Sequence, residues 1–307
     1  MRAAAVILDG DTEVDRGGAR AMHLRKSTIG AVAALALIPG TALAATIDGG
    51  PGNDRLRGTH DADLINGHAG NDRIHGFAGD DTLLGESGND RIFGGLGNDM
   101  IRGTAGNDWL NGGPGDDTVI GDNNATGDLT SFDRIFGGSG NDALKGGDSR
   151  DHIYGGPGND TSEGENGNDR MSGGTGDDVQ NGGDGNDTIF ANLGNDTSYG
   201  GNGNDHLWAL ARGDVHPGPN GEVDQAGDAL DGGPGNDVFR TRDGEVDKIT
   251  CGDGFDLALL DTVDVITDAT PDNLNGSCER VIRRAPKQRD AAPEDATQAP
   301  KDANLNS

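Results

Sequence analysis

Residues 85–120 read GESGNDRIF, GGLGNDMIR, GTAGNDWLN and GGPGDDTVI. Each nine-residue unit opens on glycine, has glycine again at place 4, Asp at place 6 and an aliphatic residue at place 8. A fixed period of this kind marks stacked repeats, in which each unit buries its apolar face only against its neighbours. Places 7 to 9 are expected to extend as a short strand, with place 8 inward and places 7 and 9 outward.

Outward from that stretch, the unit begins at Gly49 and sets an aspartate at place 6 of every copy: Asp54, Asp63, Asp72, Asp81, Asp90, Asp99, Asp108 and Asp117. Residues 121–132 interrupt. The phase returns seven residues off register at Asp133 and continues through Asp142, Asp151, Asp160, Asp169, Asp178, Asp187, Asp196 and Asp205. A second interruption, 209–227, precedes Asp228 and Asp237, and Asp247 and Asp256 echo the pattern around Cys251. Glycines at places 1, 2 and 4 are read as permitting positive φ and turning backbone carbonyls toward a small ion. Asp at place 6 adds a hard anionic oxygen, which suits Ca²⁺.

Composition points the same way. The 307 residues include 56 glycines, and 53 acidic against 24 basic side chains give a net charge of −29. Aromatics make up 4%. So few apolar residues with so much charge do not sustain a conventional globular core. The acidity directs the chain away from nucleic acid and anionic membranes and toward cations.

The unit G-G-x-G-x-D-x-U-x resembles the haemolysin-type (RTX) calcium-binding nonapeptide over about two-thirds of the chain. That resemblance implies an all-β parallel β-roll in which two repeats form one turn and ions lie between the loops of repeats n and n+2. It assigns the place-6 aspartates named above from Asp54 to Asp237, with Asp256 but not Asp247, as metal ligands and predicts roughly a dozen Ca²⁺ ions. About 24 positive charges would then offset the acidic excess, so a calcium-free chain is expected to be unfolded. Three loops depart from the pattern. Asp61 and Ser149 replace the glycine of place 4, and Ala191-Asn192 replaces an opening glycine pair.

Residues eighteen apart should stack on one sheet. One inward column then reads Ile135, Ile153, Met171, Ile189 and Leu207, whereas the other reads Leu144, Ser162, Gln180 and Ser198. Three polar residues in a core column predict either water entry or local weakness. The outer face of the apolar-cored sheet gathers bases and rings: Arg55, Arg73, Arg91 and Trp109 in the first run, and Phe136, Tyr154, Phe190 and Trp208 in the second. This face is a candidate for docking an anionic glycan, a cell-wall polymer or a second roll. The alternative is a purely structural ladder supporting strand stacking.

Residues 22–44 pair a basic start (Arg25, Lys26) with an apolar run and end on Ala42-Leu43-Ala44. This is the pattern of a secretory signal peptide, and residues 1–21 are read as an upstream extension before Met22. No other stretch is expected to span a membrane. In an exported chain Cys251 and Cys278 are expected to form a disulfide, with free thiols or pairing between chains as alternatives.

The expected organisation is a first repeat run over 45–120, an insertion loop over 121–132 and a second run over 133–208. A loop over 209–227, last repeats over 228–240, a disulfide-bearing C-terminal cap over 241–284 and a disordered tail over 285–307 follow. No HExxH, GxSxG or GxxxxGK[ST] motif occurs, and His60, His68, His75, His152, His206 and His216 fall at mixed places. The expectation is therefore a secreted, bacterial, non-enzymatic calcium-binding protein, extracellular or cell-surface associated. A glycan-binding adhesin or matrix component is one alternative, and an accessory module of a secreted hydrolase or epimerase system is another.

Overall fold

The structure, a computed structural model, describes residues 44–122, 131–209, 227–271 and 273–284. The stretches expected to be an upstream extension and a signal peptide, up to residue 43, the expected tail from 285 and most of both expected insertions lie outside the described residues.

Two twelve-stranded parallel sheets face each other, and consecutive strands alternate between them. Sheet 1 runs from Thr46–Asp48 to Val265–Ile266, and sheet 2 from Arg55–Arg57 to Arg280–Arg283. Each nine-residue unit supplies one strand and one turn, so two units complete a coil and the fold is a parallel β-roll. The register is the eighteen-residue one: Ile74 pairs with Ile92, and Ile135 with Ile153. Place 8 faces inward throughout, giving strand patterns such as exposed–buried–exposed in Arg55–Arg57.

The interruptions leave the stacking intact. Trp109 pairs with Arg134, 25 residues away, so seven extra residues loop out without shifting the coil. At the second interruption Ser198 pairs with Leu230, 32 residues on. Both insertions leave one strand position and return to the next, so the two repeat runs form one continuous solenoid.

The core is a narrow double column of aliphatic side chains in two clusters, one from Ala45 to Ile189 and one from Leu207 to Cys278. Ser162, Gln180 and Ser198 are buried between facing apolar residues, as their spacing predicted. Ser198 Oγ lies 3.1 Å from Gln180 Oε1, while Ser162 Oγ and Gln180 Nε2 have no hydrogen-bond partner. A buried amide nitrogen without an acceptor costs about 1–3 kcal/mol, so this is the least favourable stretch of the column.

The C-terminal segment prolongs the roll as well as ending it. Lys248–Thr250 and Val265–Ile266 join sheet 1, and Leu257–Leu260 and Arg280–Arg283 join sheet 2. Cys251 and Cys278 form a buried disulfide with Cα atoms 5.2 Å apart. It ties the first of these added coils to the final turn. Arginines at both ends of the last strand place charge on an otherwise open sheet edge.

Candidate metal centre

The place-6 aspartates form two files along the turns. Each Oδ1 accepts a hydrogen bond from the backbone N–H of the aspartate one coil earlier, as from Asp54 to Asp72 at 2.8 Å and from Asp63 to Asp81 at 2.7 Å. One file continues from Asp72 through Asp90, Asp108, Asp133, Asp151, Asp169, Asp187, Asp205, Asp237 and Asp256 to Glu279. The other continues from Asp81 through Asp99, Asp117, Asp142, Asp160, Asp178, Asp196 and Asp228 to Asp247 and Asp264. All twenty aspartates that the resemblance assigns as ligands, and Asp247, occupy these files. Asp264 and Glu279 escape a periodic reading because their spacings are 17 and 23 residues instead of 18.

The second carboxylate oxygen is the chemically open one. Oδ2 of Asp72, Asp81, Asp90, Asp99, Asp108 and Asp117 is buried with no hydrogen-bond partner, and the same holds for Asp133, Asp142, Asp151, Asp160, Asp169, Asp178, Asp187 and Asp205 in the second run and for Asp237 and Asp256. The first two aspartates differ: Oδ2 of Asp54 accepts from Gly50 N–H at 2.7 Å, and Oδ2 of Asp63 from Thr59 N–H at 2.5 Å.

Burial of these uncompensated carboxylates raises their pKa values. Asp90 and Asp99 are pushed up to about 6, Asp117 and Asp142 to about 7, and Asp108 and Asp169 to about 8. Loss of water is the main cause in each, partly offset by the backbone hydrogen bond. At Asp133, raised to about 9, repulsion from Asp108 adds to burial. The ion pairs Lys145–Glu163, Lys145–Glu165 and His68–Asp48 are made by partly exposed side chains, not by the file aspartates.

The glycine of place 1 explains the shape of the opening, and here the expected reason is corrected. These glycines do not adopt positive φ; residues at place 2, such as Gly95 and Glu86, and at place 4, such as Gly97, do. Place 1 is glycine because a methyl group there would collide. On Gly146 it would sit 2.7 Å from Asp151 Oδ2 and 2.7 Å from the carbonyl oxygen of Gly164. The open carboxylate oxygen and a carbonyl from the next coil therefore border the same small space. Oxygen donors only, one of them anionic and undonated, fit a hard cation such as Ca²⁺ and do not suit a soft metal.

The departures are absorbed unevenly. Ser149 takes φ +87° and Asn192 +78°, conformations that cost a non-glycine residue about 1–3 kcal/mol. Ala191 sets a real methyl group at place 1, where the coil before it has Gly173. Gly146→Ala should reproduce that block. We expect calorimetric titration of this variant to count fewer Ca²⁺ ions than wild type, and an unchanged count would refute the assignment.

A contribution of place 5 was not legible from calcium chemistry alone. Asn71 N–H donates to Asn53 Oδ1, Asn89 N–H to Asn71 Oδ1 and Asn107 N–H to Asn89 Oδ1, each at 2.8 Å. This ladder runs opposite to the aspartate files and fastens the turn from its other side. The recurring Asn or Asp before the place-6 aspartate was the signal available.

On the outer face of sheet 2, the two stripes read from the sequence are one. His75, Phe93, Trp109, Phe136 and Tyr154 follow at centroid spacings of 5.7, 4.7, 5.3 and 6.3 Å. Ser172 breaks the ladder, which resumes with Phe190 and Trp208 at 5.9 Å. Arg73, Arg170 and Arg240 lie over Phe93, Phe190 and Trp208. Phe136 and Phe190 are only 6% exposed, so they support the face without offering surface. Arg55, Arg73 and Arg91 are exposed, and Trp109, Tyr154 and Trp208 half-buried. Among the described residues no helix is long and apolar enough to cross a membrane.

Comparison with known proteins gives one family. The pattern described as RTX calcium-binding nonapeptide repeat (4 copies) matches residues 39–74, 61–92, 75–104, 93–125, 130–162, 163–198 and 172–207. No curated protein matches the chain.

Proposed function

The chain belongs to the RTX calcium-binding nonapeptide repeat family, and on that premise we propose that it is a secreted protein, acting by binding and not by catalysis, whose β-roll assembles on meeting extracellular calcium. One observation carries the reading. In both files, buried aspartates hold one oxygen to the backbone and most leave the other without a donor, beside a space that the place-1 glycines leave open. Such an arrangement is stable when a cation sits among the oxygens and unfavourable otherwise.

The Sec-type leader read at residues 22–44 supports export as a calcium-free chain, because bacterial cytoplasm is poor in calcium. We expect calcium titration, followed together by calorimetry and light scattering, to give roughly a dozen ions with dissociation constants of about 10⁻⁴–10⁻³ M. Coupling between stacked neighbours should make the isotherm steeper than independent sites allow. Binding of only one or two ions would sink the proposal.

A second reading is favoured by the face of sheet 2. At places 7 and 9 of its strands, from Arg55 to Arg280, no acidic residue occurs, although the chain carries a net charge of −29. Bases and half-buried rings on an acid-free face suit an acidic polysaccharide, by ion pairing with its carboxylates and contact of its sugar rings with aromatic faces. Replacing Trp109, Tyr154 and Trp208 by Ser is expected to abolish retention on an acidic-glycan column while leaving calcium-induced folding intact. Retention unchanged in the folded variant would reject it, and loss of a dimer in light scattering would assign the face to self-association.

A further inference from the structure

Beyond the stretch matched to the family, the roll contains a carboxylate cluster that the nonapeptide does not account for. Counting back from Asp247 at place 6, Asp243 stands where the repeat has its second glycine and Glu245 where it has the glycine of place 4. Asp243, Glu245 and Asp247 each bring a carboxylate oxygen within 4.8 Å of the others. The next coil adds Asp264, whose Oδ1 lies 3.4 Å from Asp247 N, and Asp261, whose N–H donates to Asp264 Oδ2 at 2.7 Å. Asp261 is also close enough for its charge to act on Asp243.

These side chains are held in place through one oxygen each. Oδ1 of Asp243 accepts from Glu245 N–H at 3.0 Å, Oδ1 of Asp247 from Asp228 N–H at 2.8 Å, and Oδ1 of Asp261 from Val263 N–H at 2.7 Å. Oδ2 of all three is buried and accepts nothing, and Asp247 and Asp261 are 0% exposed. Arg283, against the same turn, directs Nη1 to the carbonyl oxygens of Asp261 and Asp264. Buried anionic oxygens converging without donors call for a cation.

We propose that Asp243, Glu245, Asp247 and Asp261 form a further divalent-cation site at the C-terminal end of one aspartate file, beyond the residues matched to the nonapeptide, that takes Ca²⁺ more tightly than the sites before it and fastens the C-terminal coils. Asp264 and Thr241 act as positioning residues, since Thr241 Oγ1 donates to Asp264 Oδ2 at 2.6 Å. The argument is ligand charge: a nonapeptide loop offers glycine carbonyls at places where this one offers carboxylates, and affinity for Ca²⁺ rises with the number of anionic ligands.

Calcium titration of the full chain against a competing chelator tests this. One ion should bind at a calcium concentration at least tenfold below the rest, and Asp243→Asn with Asp261→Asn should remove that ion while the many-ion class persists. If the double variant does not fold in saturating calcium, Glu245→Gln, which preserves shape, should weaken the first ion selectively. A wild-type isotherm without a tighter one-ion class, or variants that retain it, would overturn the proposal. A tight ion without the many-ion class would support this site and sink the reading of the rows.

Discussion

In excess chelator at pH 8 the chain is expected to show the circular dichroism of a coil, and millimolar calcium should restore a β-sheet spectrum in a cooperative transition. The expected size of this effect follows from the carboxylates. Asp117, Asp142 and Asp151 are each raised from 3.8 to about 7 when buried without a cation. Ionising one of them in the calcium-free roll therefore costs about 4 kcal/mol, at 1.36 kcal/mol per pKa unit. Three such sites cancel the about 5–15 kcal/mol that stabilises an ordinary domain, and the files contain many more. The aliphatic double column is too thin to compensate, because each coil buries only two place-8 side chains. A metal-stripped chain that stays β-rich and melts cooperatively would refute the proposal.

Acid should partly replace calcium. Because the folded-state pKa values of the file aspartates lie above the ordinary carboxylate value, the roll binds more protons than the unfolded chain does. Its calcium-free stability is therefore fully present below about pH 4 and is lost as pH rises through the values of about 6 to 9 found along the files. Lowering the pH of the chelated chain from 8 to 5 is expected to raise its β-structure content, with light scattering used to separate folding from precipitation. Calcium binding near pH 7 should correspondingly release protons, read as a buffer-dependent heat in calorimetry. A chelated chain equally unstructured at pH 5 and pH 8 would show that carboxylate repulsion is not what holds the roll open.

Much of the site was legible because the repeat converts position into geometry. Once Asp54 and Asp72 are one coil apart, every later aspartate of the file follows, and so do the inward place-8 residues from Leu56 to Ile249. The buried polar stretch Ser162, Gln180 and Ser198 was equally visible, since one register assigns a whole column. The reason for the place-1 glycine was not, because it depends on how near Asp151 Oδ2 and the Gly164 carbonyl come to Gly146, and spacing along a chain does not measure distance between coils. Place 5 was obscured for a related reason: its partner is a backbone N–H one coil later, to which the pattern gives no label.

The amino-acid order alone determined the coil length, the inward and outward places, the two files of aspartates and the need for a cation, because a period fixes what stacks upon what. Tertiary structure decided where that period stops being the guide. It closed the ladder across insertions, merged two aromatic stripes into one acid-free face, and set carboxylate oxygens of Asp243, Glu245 and Asp247 within 4.8 Å of one another, beside the coil that carries Asp261 and Asp264. Those residues meet because strands of unequal spacing still pair in register, and backbone hydrogen bonds, not sequence intervals, set which side chains become neighbours.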